Sequence, residues 1–149
     1  MVDSKRQAAL RRCLELFFFA YRDFTARPDR ILEKKGLGRV HHRIIYFVGR
    51  DPGRSVAALL KTLAVSKQAL HAPLRRLVAL KLVSAQAAPY DGRVKRLELT
   101  PEGRDLESRL SGTQMEHLEA VFRKAGAAKE SAWREIMEEM AGILMEGKP

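Results

Sequence analysis

Cysteine is nearly missing from this chain. Cys13 stands alone, which excludes an internal disulfide framework and the multi-cysteine zinc patterns. Long apolar runs are missing too. The richest stretch, LELFFFAY at residues 14–21, is flanked by charges and falls well short of the roughly 18–20 residues that cross a bilayer. The opening MVDSKRQAALRR has no small-residue cleavage site, so no signal peptide is expected, and the chain is expected to be cytoplasmic with no membrane partner. There is no Ser-His-Asp set, HExxH pattern or phosphate-cradling glycine loop, so neither an enzyme, a catalytic residue, a cofactor nor a metal is expected. Acidic residues are scarce in the middle. Residues 38–104 carry 13 Lys/Arg against 4 Asp/Glu, whereas residues 105–149 carry 6 against 9. A basic middle between less basic ends points to a polyanion-binding module.

What is present is mostly helical periodicity. Ser4 and Gln7 have capping-box spacing, and Leu10, Leu14, Phe17, Tyr21 and Phe24 then recur at steps of 3 or 4, on one helix face. This helix is expected to stop before Pro28, with a short helix from Pro28 to Lys35 closed by Gly36. GRVHHRIIYFVG forms a second helix, and RDPG breaks it. Ser55 then caps VAALLKTL, and after the link AV, Ser66 caps SKQALHAPLRRL. Two short helices on a tight turn make a helix-turn-helix pattern.

The next segment changes character. LVSAQAAPY and VKRLELT are strand-like, and the Asp91-Gly92 pair between them suits a hairpin turn that needs positive φ. Thr100-Pro101 starts another helix, expected to reach about Lys124, and a last helix covers roughly Lys129 to Met145. The fold class is therefore mainly α with a small antiparallel β wing.

Asp91-x-Arg93-xxx-Leu97-x-Leu99-Thr100-xx-Gly103, together with LAVSKQAL and Leu82-Val83, resembles the MarR family of winged helix-turn-helix transcriptional regulators over about residues 35–110. The resemblance implies a homodimer clasped by terminal helices: residues 1–37 and 105–149 as dimerisation helices, and 38–104 as the DNA-binding lobe. It also implies a pseudo-palindromic operator on double-stranded DNA, and a small molecule or oxidant acting near the lobe–dimer junction. The expected activity is that of a sequence-specific regulator, a repressor released or modulated by such a signal. The alternative is a basic winged-helix module that binds DNA without sequence preference or serves as a protein-interaction domain.

On a helical wheel, Lys67, His71, Arg75 and Gln68 fall within about 100° of one another, a narrow polar face, while Leu70, Leu74 and Leu77 point inward. Gln68 suits paired hydrogen bonds to adenine, and Lys67 or Arg75 can reach guanine acceptors. Ser55, Ser66 and the free N–H groups of their helices suit phosphates. Arg93 at the wing tip would enter the minor groove, with Lys95 and Arg96 on the backbone. Asp91, by analogy with the family, pairs with an arginine and orients the wing. Pro73 lies on the apolar flank, and the helix is expected to survive it with a kink that tilts its first turns toward the groove.

Three departures from the family pattern stand out: Ala64 and Lys81 occupy positions where many members have glycine, and Pro73 lies inside the recognition helix. Positive φ at Lys81 would cost on the order of 1 kcal/mol. His41 and His42 are adjacent and point about 100° apart, a poor metal pair. With Tyr21 they are candidates for lining an effector pocket. Cys13 lies where the hydroperoxide-sensing branch of the family carries its reactive thiol, next to Arg11 and Arg12, which favour a thiolate.

Overall fold

The structure, a computed structural model, describes residues 2–145. Met1 and residues 146–149, the end of the expected C-terminal dimerisation segment, lie outside the described residues. Helix α1 (Ser4–Glu33) is capped by Asp3 and not by Ser4: the Asp3 carboxylate accepts the Arg6 N–H at 2.8 Å. Asp3 is the last extended residue, and its negative charge complements the positive end of the helix. The Gln7 side-chain amide, expected to pair with Ser4, donates to the Val2 carbonyl instead.

The expected stop before Pro28 does not occur. α1 runs unbroken for 30 residues with Pro28 inside it. Pro28 gives up one backbone hydrogen bond, but its ring is fully buried, and that apolar contact offsets the loss. The helix ends at a Schellman turn: Leu37 N–H donates to the Leu32 carbonyl, Gly36 N–H donates to the Glu33 carbonyl, and Gly36 has φ +68°. Leu32 and Leu37, the hydrophobic pair of that motif, are both buried.

Helix α2 (Arg39–Arg50) buries Ile44, Ile45 and Val48. The chain then forms a strand that sequence reading missed, β1 (Arg54–Ser55), and helix α3 (Val56–Leu63). The recognition-type helix α4 (Lys67–Ala79) buries Leu70 and Leu77 and continues through half-buried Pro73, as expected. Both non-glycine departures take up left-handed backbone, Ala64 at φ 53° after α3 and Lys81 at φ 59° after α4. At Lys81 the closing motif is the one that ends α1. Leu82 N–H donates to the Leu77 carbonyl, Lys81 N–H donates to the Val78 carbonyl, and both leucines are buried.

Strands β2 (Val83–Ala88) and β3 (Asp91–Leu99) form the wing, and β1 pairs with the other edge of β3, giving the antiparallel order β1-β3-β2. The turn lies two residues before the expected Asp-Gly. Ala88 pairs with Asp91, so Pro89 and Tyr90 make the turn, and Gly92 is not at positive φ. Proline presets the turn, while the Asp91 carboxylate accepts the Arg93 N–H at 3.0 Å, so Asp-Gly leads into an irregularity of β3.

Thr100 caps α5 (Pro101–Ala125) by accepting the Gly103 N–H at 3.0 Å. The same hydroxyl donates to the Lys81 carbonyl at 2.6 Å, and Thr100 N–H donates to the Leu82 carbonyl. A Cβ on Gly103 would overlap that Leu82 carbonyl, which explains the glycine in the wing motif. The end of α4 and the start of α5 are thereby fixed to each other. One core joins the last turns of α1, helices α2 to α4, the sheet and the first turns of α5. Each fully buried Leu or Ile there contributes roughly 1.5–3 kcal/mol.

Residues up to Gln114 form one compact unit and those from Met115 a second. In the second, Gly126 (φ +96°) separates α5 from α6 (Ala127–Met145), and Phe122 meets Trp133 edge-on at 5.3 Å. Among the described residues, no helix is long and apolar enough to cross a membrane.

Candidate nucleic-acid interface

Ser66 organises the start of α4. Its Oγ accepts the Ala69 N–H at 3.1 Å, which leaves the amides of Lys67 and Gln68 directed out of the helix end. Ser55 does the same for α3, accepting the Ala58 N–H at 3.1 Å. Downstream of Ser66, Lys67, Gln68, His71 and Arg75 are all exposed, and none of these four side chains has a hydrogen-bond or ion-pair partner among the described residues. The inward leucines leave that face no structural task. Arg76, one residue on, differs: its guanidinium packs over Gly36, and its charge bears on His41. Its side chain covers the corner between α1 and α2.

On the wing, Asp91 does pair with an arginine, and that arginine is Arg93. Nε and one terminal nitrogen of Arg93 donate to the two carboxylate oxygens at 3.2 and 3.3 Å. The Arg93 backbone and side-chain hydrogen bonds hold the Asp91 carboxyl below its usual pKa. Arg93 is nonetheless 91% exposed. Lys95 and Arg96 are exposed on β3, but Arg96 Nε donates to the Gly53 carbonyl at 2.9 Å, so part of that guanidinium holds β1 in place.

Arg54 is a positioning residue that sequence reading missed. Its side chain is only 11% exposed; it donates to Thr62 Oγ1 at 3.1 Å, pairs with Asp51 at 3.4 Å and lies 6.0 Å above the Phe47 ring. It thereby ties the start of β1 to α2 and α3. An RS dipeptide after a turn gives no periodic signal for this role.

The three candidate effector residues do not converge. Tyr21 on α1 accepts a hydrogen bond from Arg43 at 3.0 Å and lies under the Arg39 guanidinium, which Asp29 holds from the side at 2.9 Å. His41 caps its own helix, its Nδ1 accepting the Gly38 N–H at 2.9 Å; burial, then the charge of Arg76, lowers its pKa. His42 is also lowered, chiefly by burial, with Glu107 and Asp29 opposing and Arg43 adding to the shift. A cavity of about 400 Å³ beside α5 is lined by Lys35, Leu82, Glu102, Asp105 and Arg109, among others, and by none of the three. Cys13 is exposed on α1, and the neighbouring Arg12 is engaged by Glu15 at 3.6 Å. No group of three or more His, Cys, Asp or Glu suited to a metal occurs among the described residues.

Comparison with known proteins agrees with this architecture. A MarR family profile matches residues 35–94, from the α1–α2 corner through the wing tip. The HTH-type transcriptional regulator PetP of Rhodobacter capsulatus is 43% identical over 136 residues, 91% of this chain and 82% of that protein. The crystal structure of Streptococcus pneumoniae FabT in complex with DNA shares the fold at TM-score 0.81 and 16% identity, over 93% of this chain and 99% of that one. The crystal structure of MarR does so at TM-score 0.71 and 21% identity, over 93% of each chain. With a helix-turn-helix, a three-stranded wing and an identity of this extent to a curated regulator, the chain belongs to the MarR family of winged-helix, DNA-binding transcriptional regulators.

Proposed function

We propose that this protein acts as a homodimer that binds a pseudo-palindromic operator and represses transcription until a small-molecule or oxidant signal releases it. The observation that carries the reading is the free polar face of α4: four exposed side chains without intramolecular partners, at the start of a helix whose amides point outward. Phosphates would be held by the amide ends of α3 and α4 with Ser55 and Ser66, and by Lys95 and Arg96; such contacts position the lobe without specifying sequence. Gln68 would read adenine, Lys67 and Arg75 guanine, with His71 beside them, and Arg93 would approach the minor groove on a wing that Asp91 orients.

Dimerisation is supported by the first two-thirds of α1, the part that precedes Phe24. Every residue from Val2 to Asp23 is exposed within the chain, including Leu14, Phe17 and Phe18. In unit two, Trp133, Ile136 and Met140 are exposed as well. Contiguous apolar surface of this kind marks an association face. Tyr21, with Arg39 and Arg43 beside it, is the exposed part of the expected effector region, while His41 is occupied by its cap. Cys13 on the exposed face of α1 is the candidate for an oxidant signal.

Selection of the full chain on a random duplex pool at about 0.15 M salt tests the reading. Enrichment of an inverted repeat with half-sites about one turn, ~34 Å, apart is expected. Binding without an enriched motif, collapsing as salt rises, would instead identify the non-specific basic module.

A further inference from the structure

The wing tip differs from the sequence-based expectation in one respect that bears on recognition. Because Pro89 and Tyr90 form the turn, the foremost side chain of the wing is a phenol and not an aspartate. Tyr90 is 75% exposed, more than any other described large apolar residue, and it has no hydrogen-bond, ring or cation partner among the described residues. Exposure alone would mean little, since isolated apolar residues are common on surfaces. Its position is what matters. Pro89 has its own φ fixed immediately before Tyr90, and the irregular stretch of β3 between Asp91 and Lys95 leaves Gly92, Arg93 and Val94 without register partners on β2, a bulge that twists the tip.

The charges at the tip point the same way. Arg93 directs both its Nε and a terminal nitrogen at the Asp91 carboxylate, so those two side chains form an ion pair with little net charge. The uncommitted donor nearest the apex is then the Tyr90 hydroxyl. The minor groove is narrow, its negative potential favours donors, and at A·T pairs it offers only the adenine N3 and thymine O2 acceptors. At G·C pairs the guanine amine projects from the same floor as an added donor and obstructs the approach of a phenol to the guanine N3 and cytosine O2 acceptors beside it.

We propose that Tyr90 is a specificity-determining residue of the wing, its hydroxyl donating to adenine N3 or thymine O2 in the minor groove flanking each half-site. This assignment rests on the operator reading above. It differs from a phosphate contact in a measurable way: a neutral phenol displaces no condensed counterion, so it should change affinity without changing the salt slope.

The test uses the full chain and the duplex enriched by selection, alongside a second duplex whose A·T pairs under the wing are replaced by G·C. Wild-type protein is expected to prefer the first duplex. Tyr90→Ala should bind it about tenfold more weakly and lose most of that preference, a size in keeping with a lost base contact. Tyr90→Phe keeps the ring, and is expected to lose about fivefold together with the preference. Thermal midpoints of both variants should match wild type, and the slope of log K against log salt should not change; Lys95→Ala, which removes a charge that is exposed and unpaired among the described residues, should lower that slope by about one.

Three results would overturn the assignment. Tyr90→Ala could bind both duplexes as wild type does, while Arg75→Ala weakens binding; the operator reading would then stand without Tyr90. Tyr90→Phe could keep full affinity and preference, which would remove the hydroxyl from base reading. If wild type and Arg75→Ala bind random duplex as well as the selected one, the operator reading itself fails and this assignment fails with it.

Discussion

Helix α2 and the first two-thirds of α1 carry the same kind of apolar spacing and end in opposite environments. Ile44, Ile45 and Val48 are 0% exposed, whereas Leu14, Phe17 and Phe18, at comparable steps, are 70%, 52% and 64% exposed. Periodicity reports that a helix has a face to cover; it carries no information about what covers it. Around α2 the covering comes from the same chain: α3, α4 and β3 close over it. Residues 2–23 are exposed throughout, and among the described residues the buried ones all lie between Thr25 and Ser111. The lobe is thus self-sufficient, while residues 2–23 stay exposed and form the face that the proposed dimer would cover.

The severest way to break the self-sufficient side is Gly103→Ala. The added methyl would meet the backbone carbonyl of Leu82, at the joint that also carries the Thr100 hydrogen bonds to Lys81, Leu82 and Gly103. Neither partner can rotate away, so a loss above about 4 kcal/mol is expected, which most domains of this size survive poorly. Urea unfolding by circular dichroism measures it, and a midpoint near wild type would show the joint to be looser than drawn.

The comparison itself is sharpened by pairing Leu77→Ala with Phe18→Ala. Leu77 is fully buried, so its truncation should cost about 2–5 kcal/mol at every protein concentration. Phe18 is exposed within its own chain, and at concentrations that dissociate the protein its truncation should cost no more than about 0.5 kcal/mol. At higher concentration the wild-type midpoint should climb by mass action, and Phe18→Ala should blunt that climb. Equal costs for the two variants at all concentrations would mean that the α1 face is covered from within the chain.

How much of this was legible in the sequence depends on how local each signal is. Ser55, Ser66 and Thr100 with Pro101 were readable as caps, because a cap needs only a hydroxyl followed by a helical run. The exposed face of Lys67, Gln68, His71 and Arg75 followed from helix geometry alone. Pro28 misled, since its local rule is to stop a helix, and only tertiary burial of the ring overrides that rule. β1 has two residues, too few for alternation to register. Asp91-Gly92 looked like the turn because the pair fits one, but Pro89 placed the reversal first. Arg76 was invisible as a packing residue: a wheel gives the direction in which a side chain leaves the helix and does not give where a long one arrives.

Pro73→Leu probes a smaller effect on the lobe side. Leucine restores the N–H that can reach the Ala69 carbonyl, and the site is half-buried beside Leu74, so a gain of about 1 kcal/mol is expected in urea unfolding. If the proline also tilts the first turns of α4, binding across a panel of operator variants should change its ranking. A stabilised protein with unchanged ranking would leave Pro73 without a part in recognition.

The smallest effect expected is a pH dependence confined to the lobe, because the α1 face before Phe24 carries no histidine. His41 and His42 both have pKa values lowered in the folded protein, mainly by burial, from an ordinary 6.5. The unfolded chain therefore takes up protons first as pH falls. Stability from these groups is complete above about pH 6.5 and is lost as pH drops through their folded values. Protonating His41 also removes the acceptor that holds the Gly38 N–H, so α2 loses its cap in the same step. His41→Gln keeps an acceptor at that third helical position and removes the titration. Between pH 8 and 5.5 its urea midpoint should fall by less than wild type's, with His42 supplying the remaining fall. A midpoint that falls equally in both proteins would assign the whole dependence to His42 and to the carboxylates, and would show that the cap at Gly38 does not need His41.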